Sequence, residues 1–112
     1  MSMAAIELFD VFEAFGVQYY RQGSAPAELP ERFFTFWEID QDPMVPMDDD
    51  YRATKSLFGI WYYDTDIKRL YTEPERLIHA LKNAGFIVDS LPHDFASEDL
   101  LYSRYFQVIR FK

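Results

Sequence analysis

Apolar and polar positions alternate in two different rhythms along this chain. Ala5, Leu8, Phe9, Phe12 and Phe15 recur at helical spacing, with Glu7, Asp10 and Glu13 mostly off that stripe. This spacing predicts a helix over Ala4–Phe15, stopped by Gly16. Val17–Arg21 is short and reads as extended. Gly23–Pro30 has the proline, glycine and serine content of a loop. Two aromatic runs follow, Arg32–Ile39 and Ser56–Tyr63, and both read as strands. Ile67–Tyr71 reads as a helical turn. Leu77, Ile78, Leu81 and Ala84 form a second helical stripe. Its start is expected at Thr72, which caps, with Glu75 closing a capping box and Pro74 in the first turn. Its stop is expected at Gly85. Phe86–Leu91 reads as a strand, Pro92–Asp99 as a polar loop and Leu101–Phe111 as a long strand. The order is α-β-β-β-α-β-β. It predicts one α+β domain over residues 1–112, a mixed and mainly antiparallel sheet with two helices.

The faces of the two aromatic strands are harder to assign. In the first, Phe33, Thr35, Trp37 and Ile39 share one face, and Phe34, Phe36 and Glu38 the other. In the second, Leu57, Gly59, Trp61 and Tyr63 alternate with Phe58, Ile60 and Tyr62. Both faces are largely apolar, whereas a sheet with one wet face alternates more cleanly. The expectation is that the second face is covered by a helix or by a neighbouring subunit. The expected core comprises Phe9, Phe12, Trp37, Trp61, Leu77, Leu81 and Phe86.

Composition narrows the function classes. A chain of 112 residues is one domain and buries roughly 65% of its unfolded surface. Aromatics make up 19% of it, a surplus that suggests aromatic surface reserved for partners. With no cysteine, disulfides and thiolate metal sites are excluded. No apolar run is long enough for a membrane span or a signal peptide. A net charge of −8 argues against a nucleic-acid-binding surface, which needs clustered Lys and Arg.

Candidate chemistry is sparse. His79 and His93 are the two histidines, and neither has the companions a metal site needs. Asp48, Asp49 and Asp50, with Asp42 nearby, offer oxygen ligands for a hard cation. They lack the glycine and closing glutamate of a calcium loop, so a solvated acidic loop is the plainer reading. Asp66, Glu73 and Glu75 could pair as acid and base, but acids at a helix start are explained by the helix dipole. Ser90, Ser97 and Ser103 have no nucleophile setting, and four glycines form no phosphate loop. No catalysis, cofactor or metal is expected.

The stretch Asp40–Tyr51 is the best candidate for function. It is far longer than the few residues most hairpin loops use. It carries Asp42, Pro43, Met44, Val45, Pro46, Met47, Asp48, Asp49, Asp50 and Tyr51. Methionines suit adaptable contact surfaces, and prolines lower the entropy lost on ordering. This loop is expected to be a protein interface. The bland alternative is a solvent loop.

The run Phe33-Phe34-Thr35-Phe36-Trp37, the acidic Asp48-Asp49-Asp50-Tyr51, the strand Leu57–Tyr63 closed by Asp64-Thr65-Asp66, and the helix Pro74–Ala84 entering Gly85-Phe86-Ile87-Val88 give the chain a layout. It resembles the small tail-terminator (tail-completion) and related head–tail joining proteins of long-tailed bacteriophages and prophages. Leu81-Lys82-Asn83-Ala84-Gly85-Phe86 is its most suggestive stretch. The resemblance covers nearly the whole chain. It implies a mixed sheet packed with helices and a homo-oligomeric ring, a hexamer in the assembled tail and a monomer in isolation. It also implies contact with the tail tube protein and with the head connector or stopper, DNA passing through the lumen unbound, and a place in the virion after assembly in the host cytoplasm. The competing readings are a bacterial ligand-binding or regulatory α+β domain with an aromatic pocket, and a small enzyme whose acids go unrecognised.

Overall fold

The computed structural model describes residues 3–44, 53–95 and 101–112. Seven elements follow one another: α1 (Met3–Phe15), β1 (Tyr19–Arg21), β2 (Arg32–Met44), β3 (Ala53–Asp64), α2 (Ile67–Asn83), β4 (Ile87–Phe95) and β5 (Tyr102–Phe111). The predicted order and class hold. The five strands form one sheet in the order β1-β2-β3-β5-β4. Only β1 runs parallel to its neighbour, β2; every other pairing is antiparallel.

Both helices lie on one face of this sheet. The core there joins Ala4, Leu8 and Phe12 of α1 and Leu70, Leu77 and Leu81 of α2 to Phe34, Phe36, Phe58, Ile60, Tyr62, Phe106 and Val108 of the strands. Aromatic rings dominate it: Phe12 stacks on Phe34 at 5.5 Å, and Phe34 lies 4.8 Å from Tyr62. Burying side chains of this size is the main drive to fold. Three of the expected core residues need correction. Trp37 is 41% exposed and Trp61 is half-buried, because both point to the opposite face. Phe9 is partly buried and packs against the edge of the core.

Helix α2 starts five residues before the expected cap. Asp66, not Thr72, is the N-cap, and its carboxylate accepts from the Lys68 and Arg69 amides. Thr72 lies inside the helix, where its hydroxyl donates to the Lys68 carbonyl. Pro74 lies there too, fully buried, so the Leu70 carbonyl loses its usual helical partner. Glu73, expected as an exposed helix-start acid, is buried and receives both Arg76 and Arg32. The far end is as expected. Gly85 adopts φ +98°, its amide donates to Lys82, and the Phe86 amide reaches back to Leu81. A side chain at Gly85 would also collide with the Arg110 guanidinium.

The strands β2, β3 and β4 run longer than expected. Asp40–Met44 continue β2, paired with Ala53–Leu57, past a bulge between Glu38 and Asp40. β1 pairs only Phe34, Thr35 and Phe36, so this part of β2 is a sheet edge, where a proline such as Pro43 is tolerated. β4 continues through Pro92 to Phe95, replacing half of the expected polar loop, and His93 therefore lies on a strand.

Candidate functional site

The uncovered face of the sheet is built by alternation, interrupted by bulges in β2 and β4. Residues whose neighbours in sequence enter the core point away from the helices. Across β2, β3, β5 and β4 they form rows: Phe33, Tyr63, Ser103 and Phe95; then Thr35, Trp61, Tyr105 and His93; then Trp37, Gly59, Gln107 and Ser90; then Asp40, Leu57, Ile109 and Ile87. Asp42, Lys55 and Phe111 make the outermost row.

The first two rows are a self-packed aromatic layer. Phe33 stacks on Tyr63 at 4.8 Å with Tyr20 edge-on, and Trp61 lies 4.6 Å from Tyr105, with His93 against the far side of that ring. Tyr105 lies over Gly59, its hydroxyl 2.6 Å from where a β-carbon would be, and that hydroxyl accepts from Gln107. Phe33 and Thr35 are buried, and Thr35 donates to the Gln22 side chain. The outer rows are open. Trp37, Ile87 and Phe111 are exposed, and Phe95 joins them at the other end. The Arg21 guanidinium lies 4.5 Å above the Trp37 ring.

The helix side carries the charged clusters. Asp64 is fully buried. It accepts from Arg69 in a fork, from the Tyr62 hydroxyl and from the Asp66 amide. Burial alone would push its carboxyl up; these donors outweigh that and hold it below its ordinary value. Burial and the same carboxylate push the Tyr62 phenol well up. Glu7 binds Arg110 at 2.9 Å and Lys112 at 2.7 Å, which lowers its carboxyl. All these groups are satisfied by one another, and they tie α1 and α2 to the strand ends. An open groove of about 410 Å³ between α1 and α2 has Val11, Ala14, Phe15, Ala80 and Ala84 in its lining, together with Glu7 and Asp10.

The predicted interface residues divide. Asp42, Pro43 and Met44 lie at the end of β2, with Asp42 exposed. Val45, Pro46, Met47, Asp48, Asp49, Asp50 and Tyr51 lie outside the described residues. Among the described residues no group of three or more acids and histidines is placed to hold a metal ion. His79 is exposed on α2, and His93 is committed to Tyr105. This second apolar face was expected to be covered by a helix or a neighbouring subunit; among the described residues both helices pack on the opposite face instead. Its signal was present in the doubly apolar strands, but the pattern could not say which side the helices would take. Searches against protein-family models and curated proteins return no match for this chain.

Proposed function

We propose that this chain is a virion assembly protein of long-tailed phages, a tail terminator or a neighbouring head–tail joining component, which works by contact and not by catalysis. The supporting observation is the β2–β3 hairpin. Strands of 13 and 12 residues pair in a molecule 52 Å long and 25 Å across. Among the described residues β1 pairs with β2 only through Phe36, and Trp37, Ile39, Asp40, Gln41 and Asp42 beyond it are exposed. A hairpin this long suits a module that reaches for a neighbouring subunit or the tail tube. The acidic chain suits a ring through which DNA slides without adhering. The alternative, a ligand-binding or regulatory domain, has the α1–α2 groove as its natural site. Among the described residues that line it, Phe15 alone is aromatic, and Glu7 is already engaged by Arg110 and Lys112, which favours the assembly reading.

The test replaces Pro43–Asp49 with a short Gly-Ser linker. Fold stability is expected to change little, because loop closure depends weakly on length and only Pro43 and Met44, at the end of β2, leave the sheet. Joining of tails to heads, scored by electron microscopy in a phage complementation assay, is expected to fail. Normal virions from a folded variant would sink the assignment of this stretch as the interface.

A further inference from the structure

We infer that the uncovered sheet face is a self-association surface: the free protein is a two-fold dimer in which two copies pack sheet to sheet. This goes beyond the tail reading and does not rest on it. It replaces the monomer expected for the isolated chain.

Three observations commit the face to a second copy. The first is its chemistry. Trp37, Leu57, Ile109, Ile87 and Phe111 form a contiguous apolar patch on adjacent strands, of a kind single domains rarely leave in water. The second is charge. The whole chain carries −8, which would drive two copies apart. On this face, however, Asp40 and Asp42 are balanced by Lys55 and by Arg21 over Trp37. Here local charge opposes the approach of two acidic molecules less than the chain's total would. The same balance disfavours nucleic acid, which needs a basic surface. The third is size. Strands about 4.8 Å apart, with residues about 3.3 Å apart, give four strands of this length a flat footprint of roughly 600 Å². That is of the order of the ~800 Å² per partner found in stable complexes. Two twisted sheets pack face to face about 10 Å apart at a shallow angle, with side chains interleaving. A two-fold contact closes on itself.

The test uses the full chain. Analytical ultracentrifugation over a dilution series is expected to show a dimer dissociating to monomer. Trp37→Glu and Ile109→Asp are expected to weaken the dimer at least tenfold, while Ile6→Glu on α1 leaves it unchanged. Because the chain has no cysteine, Gln107→Cys, near the middle of the face, gives a single reporter. It is expected to form an intermolecular disulfide under mild oxidation, while Lys82→Cys on α2 does not. This second measurement works even if the charged variants fold poorly. A monomer at every concentration, or a dimer that survives both charged variants with no cross-link at position 107, would overturn the proposal. So would a dimer broken by Ile6→Glu.

Discussion

The two sides of this sheet use the same residue types to opposite ends. On the helix side, Phe34, Phe36, Phe58 and Phe106 are enclosed, and their rings meet α1 and α2. On the other side, Trp61 packs on Tyr105 and Tyr63 on Phe33, while Trp37 lies under the Arg21 guanidinium, and no helix encloses them. Phe36 and Trp37 are adjacent in sequence, yet one is 9% exposed and the other 41%. An aromatic residue in a strand therefore says that the surface is pleated and half-buried; it does not say what buries it.

The largest effect should come from the helix side. Phe106→Ala removes a fully buried ring and leaves a cavity, at a cost of about 3–5 kcal/mol in denaturant unfolding. A cost below about 1 kcal/mol would mean that the helix layer is not the main core.

Asp64→Asn probes the charged end of the same side and should cost about 2–3 kcal/mol at neutral pH, because its donors include a charged guanidinium. The folded carboxyl is held below its ordinary value of 3.8. Its contribution is thus complete above that value and is lost as pH falls through the lowered folded value. The gap between wild type and Asp64→Asn should therefore stay constant from neutral pH down to about 4 and close in stronger acid. Urea midpoints across that range read it, and a gap that closed near neutrality would point to another titrating group.

The smallest effect belongs to the open side. Trp37→Ala, measured at dilution where the chain is monomeric, should change stability by no more than about 0.5 kcal/mol. A loss comparable to that of Phe106→Ala would erase the distinction between the two faces.

Much of this arrangement could be read from the sequence. The stripe Leu77, Ile78, Leu81 and the stop at Gly85 placed α2 on its correct face and end, because helical spacing and a positive-φ glycine are local physics. The start of α2 misled because two cap signals overlap. Thr72-Glu73-Pro74-Glu75 matches a helix entry, but Asp66 caps earlier and the Asp64–Arg69 fork secures the first turn. Trp37 and Trp61 were misplaced for a non-local reason: both helices settle on one side, and no period-two pattern records that choice. Asp40–Met44 read as loop because of Pro43, which is acceptable only because β1 ends early and leaves an edge. The proposed docking residues are legible in part. Asp42 can be placed, and the open face around Leu57 and Ile109 emerges only once β5 is seen beside β3.

That insertion of β5 between β3 and β4 also sets an order for folding. β2 with β3, and β4 with β5, are hairpins that can form from neighbouring chain, whereas the β3–β5 seam joins residues as distant as Leu57 and Ile109. During synthesis β4 emerges before β5, its partner in the sheet. β3 meanwhile stands as an unpaired edge flanked by Phe58, Trp61 and Tyr63. The nascent chain thus passes through a stage in which its stickiest strand is bare, and closing the seam is the step that ends that exposure.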